Sequence, residues 1–167
     1  MQEIDEELIM KIHIPRWNEL PEIDLYLDQV VSYLEKYLEP YNVTKEDKII
    51  TKTMINNYVK LGIIPAPEKK KYSREHIAYL IVICVLKQVY SINDIGKLIS
   101  LTIQYFELSK AYNRFCANLE ISVKNVFFRK EMSNIEKMTE EQYLLKNVVQ
   151  SIADKLYVEL KFLTKEK

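Results

Sequence analysis

Between residues 51 and 57 the chain carries short hydroxyl and amide side chains that are suited to contacting the edges of base pairs. They are Thr51, Thr53, Asn56 and Asn57, and they lie in a stretch where apolar residues recur at helical spacing. An asparagine can bond N6 and N7 of adenine in a bidentate manner, and a threonine can contact a phosphate or the methyl group of thymine. The pattern predicts base contacts from the N-terminal part of a helix, and a solvated helix face is an equally good interpretation.

Cations surround this stretch and continue beyond a Gly/Pro turn. The candidate DNA contacts among them are Lys52, Lys60, Lys69, Lys70, Lys71 and Arg74. Lysine and arginine side chains position a protein on duplex DNA by binding phosphates, without reading the sequence. If about five phosphates are neutralised, the logarithm of the binding constant falls with the logarithm of salt concentration with a slope near −4 to −5. The alternative is an exposed loop that keeps the chain soluble.

The spacing of apolar residues predicts the elements that must hold these side chains. It indicates helices over residues 23–38, 52–61, 76–90 and 92–99. Thr51 or Thr53 is the expected N-cap of the second helix, and Gly62 is the glycine expected just after its end. Ser73 and Ser91 are the expected N-caps of the two helices that follow. No segment alternates like a long strand, so the expected fold class is all-α.

The composition excludes several kinds of site. Among 167 residues there are only two glycines, Gly62 and Gly96. Gly-rich phosphate loops, the dinucleotide fingerprint and a series of tight β-hairpins all need backbone with positive φ, which glycine adopts most readily. Two histidines and two cysteines cannot form a zinc site by themselves, and no motif pairs a nucleophile with His13 or His76. We therefore expect no metal, no cofactor and no catalysis.

Charge and cysteine use bear on the partner and the compartment. The net charge is zero, but residues 1–39 carry ten acidic and three basic side chains, whereas residues 45–87 carry nine basic and four acidic ones. A basic block can bind a polyanion, but charge alone favours a solvated face over such a binding surface. Cys84 and Cys116 lie in apolar patterns and are expected to be free thiols. The longest apolar run, residues 77–86, is too short to cross a bilayer, so we expect a cytoplasmic protein without membrane contact.

Short motifs occur in a characteristic order between residues 54 and 95. They are Met54-Ile55-Asn56-Asn57-Tyr58, Gly62-Ile63-Ile64-Pro65, Lys71-Tyr72-Ser73-Arg74-Glu75 and Tyr90-Ser91-Ile92-Asn93-Asp94-Ile95. This order resembles the N-terminal domain of MerR-type regulators, a winged helix-turn-helix module. The longer run from Ile14 to Ile99 looks like a bacterial family of unknown function with such a MerR-like domain. The resemblance implies that residues 23–99 bind DNA, and that Tyr58, Gly62, Pro65 and Tyr72 shape the turn and the wing.

Two departures from the MerR-type pattern favour a different use of the same scaffold. Where those recognition helices usually carry an arginine and then an aromatic residue, this chain has Asn56 and Asn57. The expected first helix, residues 23–38, is long and acidic. The alternative function is therefore a helix-turn-helix scaffold that serves as a protein–protein interaction module.

The C-terminal part, residues 100–167, is expected to be a helical hairpin or an oligomerisation region. MerR-type proteins dimerise through a helix directly after the DNA-binding module, and a near-heptad stripe occupies that place. Its residues are Leu101, Tyr105, Leu108, Tyr112, Phe115 and Leu119. Aromatic residues on this stripe make an intramolecular hairpin as good an interpretation as a homodimer. Other aromatic side chains here suit a core better than an effector cavity; they are Phe106, Phe127, Phe128 and Tyr143.

The sequence thus predicts an all-α transcriptional regulator that binds double-stranded DNA. We expect a lead segment over residues 1–22, a MerR-like helix-turn-helix domain over 23–99 and a helical region over 100–167. The effector, whether a small molecule or a protein, is not identified by any motif.

Overall fold

The computed structural model describes residues 6–42, 47–130 and 137–163, and within them the chain is mostly helical. The α-helices are α1 (Glu6–Met10), α2 (Leu27–Leu38), α3 (Lys52–Lys60), α4 (Arg74–Leu86), α5 (Ile92–Tyr105), α6 (Leu108–Phe127) and α7 (Glu140–Val158). Two short strands, β1 (Leu25–Tyr26) and β2 (Lys71–Tyr72), pair in antiparallel fashion. The all-α expectation is therefore confirmed at the level of fold class.

The chain divides into two compact units. One comprises Pro15–Asn113, and the other comprises Met1–Ile14 together with Arg114–Lys167. The predicted DNA-binding segment, residues 23–99, lies within the first unit.

Helix α4 is the centre of the Pro15–Asn113 unit. Its side chains are buried around most of its circumference, among them Ile77, Leu80, Ile81 and Cys84. A helix that is apolar all round requires cover on every side. Helix α2 supplies part of that cover, because it packs against α4 and buries an apolar stripe at helical spacing. That stripe consists of Val30, Leu34 and Leu38.

The first predicted helix, over residues 23–38, is wrong at its N-terminal end. Ile23 is exposed, and Leu25 and Tyr26 form β1, so the helix begins only at Leu27. The register pairs Leu25 with Tyr72 and Tyr26 with Lys71. The backbone N–H of Tyr26 donates to Oε1 of Gln29 at 2.8 Å, which stabilises the helix start one residue later.

The helix predicted over residues 92–99 is longer than expected, and the stripe from Leu101 to Leu119 does not lie on one helix. Helix α5 runs past Ile99 to Tyr105, and Phe106 then adopts an extended conformation before α6 begins at Leu108. The stripe is therefore distributed over two helices. Leu101 and Tyr105 are exposed on α5, whereas the α6 members Tyr112, Phe115 and Leu119 are buried within the chain. The hydroxyl of Tyr112 donates to the carbonyl of Pro15 at 2.6 Å.

In the other unit, α6 and α7 bring aromatic side chains together. The ring of Phe127 meets that of Tyr157 edge to face, with 5.3 Å between centroids. Thr139 caps α7 by accepting from the backbone N–H of Gln142. Near the start of the chain, the backbone N–H of Ile14 donates to the buried carboxylate of Glu120 at 2.7 Å. These contacts tie the N-terminal residues of the unit to α6 and α6 to α7.

Candidate nucleic-acid interface

Helix α3 separates a buried face from a polar exposed face. Ile55 and Tyr58 are buried. The opposite surface carries the exposed side chains of Thr53, Asn56, Asn57 and Lys60. Spacings of three and four residues place these side chains on neighbouring positions of one helix surface. Within residues 6–42, 47–130 and 137–163, none of the four side chains has an intramolecular hydrogen bond or ion pair. The face is therefore free to bind an external group.

Thr51 has a structural role at the start of α3. Its Oγ1 accepts a hydrogen bond from the backbone N–H of Met54 at 3.2 Å, so Thr51 is the N-cap. The prediction that Thr51 or Thr53 caps this helix is thus resolved in favour of Thr51, and Thr53 is left exposed.

The end of α3 is a Schellman motif centred on Gly62. The backbone N–H of Ile63 donates to the carbonyl of Tyr58, and that of Gly62 donates to the carbonyl of Val59, both at 3.0 Å. Gly62 has a φ of 69°, which glycine adopts without a Cβ clash. The expectation that Gly62 lies just after the end of the helix is confirmed. Pro65 is exposed in the following segment.

A tight turn at residues 68–71, here called the lysine turn, presents two adjacent cations. The backbone N–H and carbonyl of Glu68 both bond Lys71, at 3.1 and 2.8 Å. Between them Lys69 and Lys70 have φ values of 48° and 63°. This is the backbone of a type I′ turn, in which asparagine and glycine are strongly preferred. A non-glycine residue in the left-handed region costs about 1–2 kcal/mol.

Both turn lysines are exposed, and their side chains have no partner in the part of the chain that the structure describes. The sequence suggests no tight hairpin here, because neither a glycine nor an asparagine occupies the turn. The positive φ that such a turn needs is supplied here by two lysines instead of glycine.

His76 and Tyr72 attach the lysine turn to α4. The backbone N–H of Ser73 donates to Nδ1 of His76 at 3.0 Å, and Nε2 of His76 lies 3.4 Å from the carbonyl oxygen of Ala66. The ring of Tyr72 meets that of His76 edge to face at 5.4 Å. His76 therefore bonds the chain on both sides of the lysine turn. Ser73 is the N-cap of α4, as expected, but the helix begins at Arg74 and ends at Leu86.

Three other predicted phosphate contacts already have partners within the unit. Lys52 forms an ion pair with Asp28. The amino group of Lys71 lies 5.2 Å from the ring centroid of Tyr26. Arg74 donates to the carbonyl of Leu20 at 3.4 Å, and its side chain is only about a quarter exposed. These three cations differ from Lys60, Lys69 and Lys70, which are unpaired among the described residues.

Lys87 is a structural residue that the sequence analysis did not single out. Its amino group donates to the carbonyl of Ile49, just before α3, and lies 3.5 Å from the sulfur of Met54. Burial lowers the pKa of Lys87. Burial also raises the pKa of Tyr58, on the inner face of α3, to about 12. These contacts lie on the apolar side of α3. In the sequence, Lys87 is visible only as a lysine at the end of an apolar helix, so its structural role could not be predicted.

Among residues 6–42, 47–130 and 137–163, no group of three or more His, Cys, Asp or Glu side chains is arranged to hold a metal ion. No helix in the same ranges is long and apolar enough to cross a membrane.

Comparison with known proteins identifies the family. A family model described as a domain of unknown function, DUF1836, matches residues 15–115, and the chain belongs to this family. The matched region covers the Pro15–Asn113 unit almost residue for residue. No curated protein and no solved structure matches the chain.

Proposed function

We propose that this member of the DUF1836 family is a duplex-DNA-binding protein that acts in transcriptional regulation. In this proposal the Pro15–Asn113 unit functions as a MerR-like winged helix-turn-helix, in which α3 is the recognition helix and the lysine turn is the wing. The resemblance of the motifs between residues 54 and 95 provides the starting point, and the geometry of α3 and of the turn supports it.

The lysine turn is the observation that carries the proposal. Two adjacent positions require left-handed backbone, which Asn-Gly would supply at little cost. The chain instead has Lys69 and Lys70, both exposed and without a partner among the described residues. Strained residues retained at a surface are a reason to infer a function for their side chains. Two adjacent cations on an exposed turn are suited to the phosphates of a nucleic-acid backbone.

The exposed face of α3 favours duplex DNA over other polyanions. Asn56 and Asn57 are free amides on a short helix, and asparagine can discriminate adenine in the major groove by about 1–3 kcal/mol per bidentate contact. Lys60 lies on the same surface and adds a phosphate contact. With Lys69 and Lys70 it makes three free cations, so the salt slope expected from the geometry is about −3 rather than the −4 to −5 expected from the sequence.

Selection from a pool of random-sequence duplexes tests this proposal. The full chain should enrich a defined motif, and the double variant Asn56→Ala/Asn57→Ala should lose the motif while it retains non-specific binding through its lysines. Asn93→Ala is a matched control, because Asn93 is an exposed asparagine on another helix of the same unit. Absence of enrichment by the wild-type chain, or unchanged enrichment by the double variant, would contradict the proposal.

A protein–protein interaction module is the second candidate. It is favoured by the acidic residues that pair with Lys52 and Arg74, and by an open apolar groove of about 940 Å³ between residues 59–66 and α5. Leu61, Leu101 and Ile103 line this groove and are about half exposed. A chain that enriches no duplex motif and binds non-specific DNA only at low salt would favour this second function.

A further inference from the structure

The acidic segment, residues 22–28, lies against the cations of both proposed DNA-binding elements. Asp28 pairs with Lys52 in the first turn of α3. Tyr26 lies beneath Lys71 of the lysine turn. A carboxylate oxygen of Glu22 is 3.9 Å from the guanidinium of Arg74. One short stretch of chain thus contacts all three of the predicted phosphate contacts that already have partners, and Arg74 is held in addition by the carbonyl of Leu20.

Strand β1 holds this segment in position. Leu25 and Tyr26 pair with Tyr72 and Lys71, so Glu22 and Asp28 lie on either side of a backbone anchor. A tethered group competes at a high effective concentration with any ligand from solution. Asp28 is therefore already paired with Lys52, and Glu22 already lies beside Arg74, before DNA arrives.

We propose that the acidic segment competes with duplex phosphates for Lys52 and Arg74, and so limits the affinity for DNA. This inference rests on the proposed function. A phosphate that approaches Lys52 meets the negative charge of Asp28, and binding there releases fewer counterions than binding to a free lysine. The segment thus competes with the DNA backbone, and Lys52 joins the three free cations only when the carboxylate of Asp28 is displaced or neutralised.

The competition is modest in size. The side chains of Lys52 and Asp28 are 56 % and 76 % exposed, and exposed ion pairs contribute little. Loss of one such pair should raise the affinity by roughly two- to fivefold. The segment therefore adjusts the affinity and does not abolish binding.

Asp28 also has a structural role, which the test must distinguish from its effect on Lys52. It lies in the first turn of α2, where a carboxylate interacts favourably with the helix dipole. Asp28→Asn retains the size and polarity of the side chain and removes only its charge. Thermal unfolding of each variant shows whether the fold is preserved.

The test compares two variants of equal charge. Asp28→Asn should raise the affinity for a labelled pool of random-sequence duplexes by roughly two- to fivefold and make the salt slope steeper by about one. Asp24→Asn is the matched control, because Asp24 is exposed in the same segment and has no side-chain partner among the described residues. It changes the net charge equally and should have a smaller effect on both quantities.

A double-mutant cycle with Lys52 completes the test. In a Lys52→Gln background the gain from Asp28→Asn should disappear, because the cation that it releases is no longer present. An equal gain from Asp24→Asn, or a gain that persists without Lys52, would overturn this inference and leave the proposed function intact. Absence of duplex binding by the wild type and by every variant would overturn both.

Discussion

Two turns of the Pro15–Asn113 unit use left-handed backbone, and they use it with opposite residue types. At the end of α3 the residue with positive φ is Gly62, which has no side chain and no steric conflict. In the lysine turn the residues are Lys69 and Lys70. Only the second turn is strained, and only the second presents charge. In the proposed function this difference has a reason, because the first turn needs no side chain, whereas the second places two lysines where they can bind phosphates.

The largest expected effect comes from giving the lysine turn the residues that its backbone prefers. Lys69→Asn/Lys70→Gly should raise the free energy of unfolding by about 1–2 kcal/mol, because both residues then adopt left-handed backbone readily. The same variant should bind duplex DNA about 30-fold more weakly near physiological salt, since two phosphate contacts are lost. Denaturant unfolding and fluorescence anisotropy measure the two quantities.

A second variant separates charge from backbone strain in this turn. Lys69→Gln/Lys70→Gln should lose the same affinity without the gain in stability, because glutamine is no better suited to positive φ than lysine. If Lys69→Asn/Lys70→Gly is no more stable than Lys69→Gln/Lys70→Gln, the turn is not strained. The contrast with Gly62 is then lost.

The other side of the comparison is tested at Gly62. Gly62→Ala should lower the free energy of unfolding by about 1–2 kcal/mol, because alanine must adopt left-handed backbone. A built Cβ has no neighbour within 4 Å, so crowding adds nothing to this loss. Gly62→Asn should lower the free energy of unfolding by less, since asparagine adopts left-handed backbone more readily than alanine. Equal stability of all three chains in urea would contradict the account.

The sequence and the structure agree where a local signal is strong. The caps at Ser73 and Ser91 and the turn at Gly62 are each set by one or two residues, and the sequence predicts them correctly. For α3 it narrows the cap to Thr51 or Thr53, and the structure has Thr51. The lysine turn could not be predicted, because the backbone bonds between Glu68 and Lys71 close it over two lysines, which do not favour left-handed backbone. The ion pair between Lys52 and Asp28 could not be predicted either, because the two residues are distant in sequence.

The dependence of the free energy of unfolding on alkaline pH should distinguish the buried interior from both turns. Burial raises the pKa of the Cys84 thiol from 9.0 to about 12, so the unfolded chain loses this proton at lower pH than the folded chain. The free energy of unfolding should therefore fall by about 1 kcal/mol between pH 9 and pH 10. Cys84→Ala should remove this part of the decline. In the Gly62 and lysine-turn variants the free energy of unfolding should fall with pH in parallel with the wild type. A different pH dependence in one of these variants would show that the titrating group lies in that turn.

The smallest effect is expected at Gly96, a glycine whose backbone is not left-handed. It lies inside α5, and a built Cβ would meet Ile63 at an ordinary contact distance of 3.5 Å. Gly96→Ala should raise the free energy of unfolding by about 0.5–1 kcal/mol, because alanine loses less conformational freedom in a helix. Destabilisation in a urea titration would show that this position, like Gly62, requires glycine.

The salt dependence of duplex binding tests the central claim most directly. For the full chain, a plot of the logarithm of the binding constant against the logarithm of KCl concentration should have a slope of about −3, and Lys69→Asn/Lys70→Gly should reduce it to about −1. A slope that is the same in both proteins, or no measurable binding by the wild type at low salt, would contradict the account.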